Sequence, residues 1–184
     1  RAPGQDDMER IRFQHAVQVH LEQHGCPVAG LIPTKDDGST IVRRGSRFYE
    51  LFHFVEGTRF DSSLEQAESA GRTMARMHEA CMKWNGPPPS GVGYHGSPDV
   101  QRGLARIEER IESISLYCRP LQEIFIEAQS KVDRLGWSDL PRTIVHGDWH
   151  PGNLLFSGDE VVALLDFDSA RQAPRASEFA NGSL

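Results

Sequence analysis

The chain has 184 residues, enough for a domain that buries roughly 70% of its unfolded surface. Twenty Lys and Arg against 26 Asp and Glu leave a net charge of -6, which argues against nucleic acid or an anionic membrane as the default partner. The three cysteines, Cys26, Cys81 and Cys118, are widely spaced and form no Cys-x-x-Cys, so free thiols in a reducing cytoplasm are expected rather than a disulfide framework or a zinc site, and no apolar run approaches the roughly 18 residues of a membrane span.

From Asp6 to His24 the apolar positions Met8, Ile11, Phe13, Ala16, Val17, Val19 and Leu21 follow an approximate helical period, and Gly25 with Pro27 ends the run. Leu31 to Pro33, Thr40 to Val42 and Phe48 to Phe54 read as strands, the first two joined by the turn Lys35-Asp36-Asp37-Gly38, with Glu56-Gly57 closing the third. Ser63 to Met82 is the next helix, with Leu64, Ala67, Ala70, Gly71, Met74, Ala75, Met77 and His78 on or near one stripe. On so apolar a stripe His78 reads as a hydrogen-bonded packing residue rather than a ligand. Asn85 to Pro98, with three consecutive prolines and several glycines, reads as a loop. Its Gly-Val-Gly-Tyr-His-Gly lacks the preceding strand and following helix that a phosphate cradle needs. Two helices follow, Val100 to Leu116 and Leu121 to Leu135, the second with Pro120 at its start.

The most informative stretch is His146-Gly147-Asp148-Trp149-His150-Pro151-Gly152-Asn153, followed by Asp166-Phe167-Asp168. Phosphoryl transfer is mostly positioning and charge neutralisation. It needs a carboxylate beside the attacking hydroxyl and hard oxygen ligands for magnesium on the nucleotide phosphates. Asp148 and Asn153 suit those two tasks. Between Asn153 and Asp166, Leu154-Leu155-Phe156 and Val161 to Leu165 read as short strands around the polar turn Ser157 to Glu160. If Phe156 pairs with Val161, Asn153 falls opposite Leu164 and Asp166 lies about two residues beyond, near enough to share a metal. A different chemistry is also readable: His146, Asp148 and His150 alternate, as they would on one strand face, and could chelate a transition metal. Gly147 and Pro151-Gly152 argue for a loop instead, in which His146 orders the backbone by hydrogen bonding and His150 lines the acceptor side or faces solvent.

Val145 to Phe156 and the Asp166-Phe167-Asp168 element resemble the catalytic and metal loops of the aminoglycoside phosphotransferase and choline kinase family, small-molecule kinases with a protein-kinase-like fold. The resemblance implies an α+β chain with a remnant small β lobe carrying one helix, residues 1–56, and a mainly helical large lobe containing the catalytic-loop hairpin, residues 57–184. It also implies ATP and Mg2+ as cofactors, with a small hydroxyl-bearing acceptor such as an aminoglycoside, choline, an amino alcohol or a sugar. Asp148 would then be the catalytic base and Asn153 and Asp166 the metal ligands. Leu155 would be the floor under the adenine, Phe52 and Phe54 hinge residues, and His146 and Asp168 supporting groups. The chain departs from the family in two places. No phosphate-covering hairpin or lysine strand precedes the first helix, whose Gln14 stands about where a lysine-pairing Glu is expected, and the late helices of the family do not follow Arg171 to Leu184. The chain therefore reads as incomplete at both ends, and the alternative function is a degenerate kinase-like module that holds a nucleotide or partner without turnover.

Overall fold

A computed structural model of the chain describes residues 8–87, 100, 102–103, 105–107 and 112–182. They fall into two compact units, one formed by Arg1–Gly91 with Arg142–Leu184 and the other by Val92–Pro141. The expected loop lies outside the described residues from position 88 onward.

The larger unit begins with helix α1, Met8–Gln23. Ile11, Phe13, Val17 and Leu21 are buried as the apolar period requires, but so are Gln14, His15, Gln18 and His20, while Val19 faces solvent. The polar burial has specific partners elsewhere in the chain. His15 bonds Thr40 Oγ1 and Glu50 Oε2, both at 2.7 Å, and His20 Nε2 donates to the Ala80 carbonyl at 2.8 Å, so these groups enter the interior with partners already in place.

The strand region differs from the sequence-based expectation. Strands β1 (Val42–Arg44) and β2 (Arg47–Tyr49) pair with each other, with Val42 opposite Tyr49 and Arg44 opposite Arg47. Gly45, at φ +59, makes the tight turn between them. The expected strand at Leu31 is reduced to a single bridge with Phe52, flanked by Ile32 N–H donating to Leu51 O and His53 N–H donating to Gly30 O. Turn residues Lys35 to Asp37 fall where expected, under the Thr34–Ser39 backbone bond.

Helix α2, Leu64–Cys81, starts at Ser63, whose Oγ accepts from Gln66 N–H, and is capped by Met82. Its buried face is Gln66, Ser69, Thr73, Met74, Met77, His78 and Cys81, rotated from the apolar stripe, so that Leu64 is 83% exposed. Two polar residues pull the helix round, Gln66 Nε2 donating to Gly158 O and Ser69 Oγ accepting from Val161 N–H, while Thr73 Oγ1 is satisfied within the helix by Ser69 O.

Three antiparallel pairs of short strands serve the unit. Beside β1–β2, β3 (Arg142–Val145) pairs with β6 (Arg171–Pro174), and β4 (Leu154–Ser157) pairs with β5 (Glu160–Leu164). Thr58 bridges to Phe156 and Val28 to Leu164, which ties the hairpin to the strand region. Phe13, Leu21, Met77, Ile144, Phe156 and Leu164 lie in one apolar cluster, and Phe156 is fully buried. Cys26 and Cys81 are buried free thiols, and burial pushes the Cys81 thiol up to about 12. Among the described residues no helix is long and apolar enough to cross a membrane.

In the smaller unit residues 100, 102–103 and 105–107 are helical, and helix α3, Glu112–Arg134, runs through Pro120, where the second expected helix was to begin. Proline removes one N–H and clashes with the preceding turn, but an exposed proline in a 23-residue helix leaves the bonds on either side intact. A 3-10 turn, Trp137–Asp139, follows Gly136.

Candidate active site

The hairpin β4–β5 brings Asn153 and Asp166 near each other, by a register one step different from the simple one. Phe156 pairs with Val161 as expected, and Ser157 with Glu160, leaving only Gly158-Asp159 in the turn. A bulge then makes Leu155 face Ala163 and Leu154 face Leu164, with Val162 as the extra residue. Asn153 therefore lies opposite Leu165 rather than Leu164, and Leu165 N–H donates to Asn153 O at 2.9 Å. The bulge brings Asp166 one residue closer to Asn153 than a regular ladder would.

The loop before β4 is a set of interlocked turns. Asn153 Nδ2 donates to Asp148 O at 2.9 Å and to Asp148 Oδ2 at 3.1 Å, so its amide oxygen is turned away from Asp148. The Asp148 side chain is 51% exposed, and His150 Nε2 lies 3.6 Å from its Oδ2. His150 Nδ1 accepts from Gly152 N–H at 3.0 Å and caps the 3-10 turn Pro151–Asn153. His146 is buried, and its Nε2–H donates to Leu165 O at 2.8 Å, which assigns the tautomer. Its ring packs 4.7 Å from Phe167 and edge-on to Trp149. Burial pushes its pKa down, against the opposing pull of the Leu165 carbonyl and of Asp148 and Asp166.

The chelate of His146, Asp148 and His150 is not assembled: His146 is drawn into the core with its Nε2 on the Leu165 carbonyl. Among the described residues no group of three or more His, Cys, Asp and Glu could hold a metal. One carboxylate and one amide oxygen suit a different kind of ion, a hard cation completed by water and substrate phosphates, which is how magnesium is usually bound.

Asp166 takes a left-handed conformation, φ 60, and its carboxylate accepts from Asp168 N–H, holding the turn Phe167–Ser169. Aspartate tolerates this backbone better than most residues because its short side chain closes such a turn. Arg10 and Gln14 of α1 both donate to Asp168 O, at 2.7 and 2.8 Å, so the Asp166–Asp168 loop is tied to the first helix.

Phe52, Phe54 and Leu155 line one cavity of about 750 Å³ together with Ala29, Val55, Leu164, Asp166 and Asp168. Phe54 is 91% exposed. The side chains thus supply an apolar slot and an acidic portion within one cavity.

Sequence reasoning missed Glu178 and Arg171. Helix α4, Ala176–Gly182, carries Glu178, which is completely buried. Its Oε2 accepts from His146 N–H and its Oε1 from Gly147 N–H, both at 2.8 Å. Arg171 Nη1 donates to Gly147 O at 3.2 Å and to Ser169 O at 2.9 Å. Gly147 sits at φ +82, and a Cβ there would come within 2.2 Å of the Ser169 carbonyl oxygen, so glycine is required twice over. The only sequence signal for Glu178 was an acid between Ala176 and Ala180 in an otherwise apolar and small stretch.

A helix–sheet unit with a loop–hairpin–acidic-loop site is the arrangement of the protein-kinase-like phosphotransferases. Residues 1–182 match the model of the phosphotransferase enzyme family, and the chain belongs to that family. It is similar to the homoserine kinase of Methylocella silvestris, 27% identical over 150 residues that cover 80% of this chain and 44% of the relative. The homoserine kinase of Rhizobium rhizogenes is 29% identical over 164 residues, 85% of this chain and 47% of the relative. The chain spans about half the length of the curated relatives it matches. Among solved structures, an amicoumacin kinase in complex with AMP-PNP, Ca2+ and Ami superposes with a TM-score of 0.70 at 15% identity, over 94% of this chain and 52% of that one. An aminoglycoside phosphotransferase from Alicyclobacillus acidocaldarius gives 0.60 at 22% identity, over 95% and 57%. The fold is therefore protein-kinase-like, as the catalytic and metal loops implied.

Proposed function

We propose that this chain carries the catalytic and metal loops of an ATP-dependent phosphotransferase that moves the γ-phosphate to the hydroxyl of a small molecule, with homoserine and related amino alcohols the first acceptors to test. One observation supports the reading above all: the bulged hairpin places Asn153 beside the residue preceding Asp166, while Asn153 is hydrogen-bonded to Asp148. Asp148, half exposed, orients the acceptor hydroxyl and takes its proton. Asn153, its amide nitrogen committed to Asp148, turns its oxygen to the cation, and Asp166 supplies the anionic ligand. Magnesium, when bound with the nucleotide, supplies neutralisation of phosphate charge. Phe52 and Phe54 flank the adenine and Leu155 lies under it, while His146 and Asp168 keep the two loops in register. The buried free thiols fit a cytoplasmic setting.

The test is ADP release by the complete gene product against a panel of hydroxyl acceptors, with Asp148→Asn beside it. Turnover is expected to fall at least about a hundredfold with nucleotide binding retained, since a positioned base contributes that much. An unchanged turnover number would remove Asp148 from the role. A second reading, a nucleotide-holding module without turnover, is favoured by Gln14, which bonds the Asp168 carbonyl from the place where a lysine-pairing acid is expected. Tight nucleotide binding with no ADP from any acceptor would establish that one.

A further inference from the structure

Successive polar residues of α1 serve the two parts of the cavity. Gln14 Nε2 donates to the carbonyl of Asp168, which lines the acidic part. His15 serves the aromatic part: its Nε2 lies 2.7 Å from Glu50 Oε2 and its Nδ1 2.7 Å from Thr40 Oγ1. A carboxylate only accepts, so Nε2 carries the proton, and the Thr40 hydroxyl donates to Nδ1 of the neutral ring. The His15 and Glu50 side chains are 6% and 7% exposed, which withdraws the pair from water. The imidazole also stands edge-on to the Phe52 ring, centroids 6.5 Å apart at 80°. Glu50 and Phe52 both line the cavity, and Thr40 lies outside its lining.

The backbone that carries Glu50 and Phe52 is sparsely bonded. The β1–β2 hairpin ends at Tyr49, and beyond it stand the bridge between Leu31 and Phe52 and the bonds from Ile32 N–H to Leu51 O and from His53 N–H to Gly30 O. We propose that His15 is a positioning residue for nucleotide binding: steadied by Thr40, it pins Glu50 and the Phe52 ring, and so fixes the slot in which the base is stacked, a role that rests on the nucleotide reading of the cavity given above. The chemistry of the pair explains why one pin suffices. A buried carboxylate stripped of its partner is far more costly than a broken surface pair, so loss of the imidazole drives Glu50 toward water and takes the strand that carries it away from the slot. Packing α1 against that strand would by itself call for an apolar side chain, since a buried polar one is tolerated only when its hydrogen-bonding atoms are paired.

The complete gene product is titrated with ATP and magnesium by calorimetry and assayed for ADP release. In His15→Leu the affinity for ATP is expected to fall, and KM for ATP to rise, at least about tenfold, because a buried charge loses its partner. Its kcat should stay within about threefold of wild type, since the Asp166–Asp168 loop keeps its own bonds from Arg10 and Gln14. His15→Gln sets an amide NH2 and an amide oxygen where the two ring nitrogens stood, and should recover most of the affinity. Thr40→Val removes a hydroxyl outside the cavity, and should weaken ATP binding about twofold to fourfold in wild type but not in His15→Leu, because the two residues act through one contact. Wild-type ATP affinity in His15→Leu overturns the proposal, as does a fall in kcat with KM unchanged, or a Thr40→Val loss of the same size in both backgrounds. If His15→Leu does not fold, Thr40→Val decides, and wild-type ATP affinity there overturns the proposal. ATP binding by the unsubstituted protein with no ADP from any acceptor overturns the phosphotransfer reading alone, and the affinities of the variants still decide the role of His15. No ATP binding by the unsubstituted protein overturns both.

Discussion

Two regions of the larger unit face the same cavity and are held in different ways. The segment from His146 to Arg171 is fastened by groups far along the chain: Glu178 and Arg171 on Gly147, His146 on Leu165, and Arg10 and Gln14 on Asp168. The segment from Val42 to Val55 is a three-residue hairpin and a single bridge, with Tyr49, Leu51, Phe52 and Phe54 exposed. The first segment is over-determined by buried bonds, whereas the second rests on a short hairpin and exposed apolar side chains. The difference predicts where the molecule tolerates change.

Glycine substitutions probe it most strongly. Gly147→Ala puts a methyl group against the Ser169 carbonyl at a positive φ, and should cost at least about 3 kcal/mol or prevent folding. Gly45→Ala has the same sign of φ but open space around it, and should cost about 1 kcal/mol. Equal losses of melting temperature in the two variants would erase the distinction between the regions.

Acid should act on the fastened region as well. His78 is lowered from 6.5 to about 4, by burial first and by Arg175 second, so the fold favours its neutral form. The unfolded chain then binds the extra proton between these values, and stability is full above pH 6.5 and is lost as pH falls toward about 4. His146, lowered by burial, acts in the same direction. Glu178 acts oppositely: its raised pKa gives a contribution present below the unfolded carboxyl value and lost as pH rises. Denaturant unfolding at about pH 7 and pH 5 should show a net loss of up to about 2 kcal/mol, and His78→Asn should flatten it. A stability that rises on acidification would mean that the Glu178 contribution dominates.

A smaller and more selective effect is expected at the metal loop. Asp166→Ala should weaken nucleotide binding about tenfold with magnesium and leave metal-free binding within about twofold, as read by calorimetric titration. Equal losses in both conditions would deny Asp166 a metal role. The smallest effect belongs to the pocket wall. Phe54→Ala removes a side chain 91% exposed, so stability should change by less than about 0.5 kcal/mol while nucleotide affinity falls about threefold to tenfold.

Much of the candidate site could be read directly. The five-residue step from Asp148 to Asn153 and the hairpin leading to Asp166 are local patterns, written in turn residues and alternating apolar positions, and such patterns survive without knowledge of the rest of the fold. The start of the second helix at Ser63 and His146 as a loop-ordering group were legible for the same reason. What could not be read depended on partners distant in sequence. The rotated face of α2 follows from Gln66 and Ser69 finding the β4–β5 hairpin, some 90 residues away. The buried polar side of α1 follows from His15 and Gln14 meeting Glu50 and Asp168.

By itself, then, the order of residues determined the chemical groups, their local spacing and the family to which they belong, since these are set by neighbours within a few turns of chain. Only the tertiary structure decided that Val162 bulges to bring Asp166 a residue nearer to Asn153, and that Glu178 lies beneath Gly147. The physical reason is that a buried carboxylate is tolerable only where donors are waiting for it, and those donors exist only once the chain has folded back on itself.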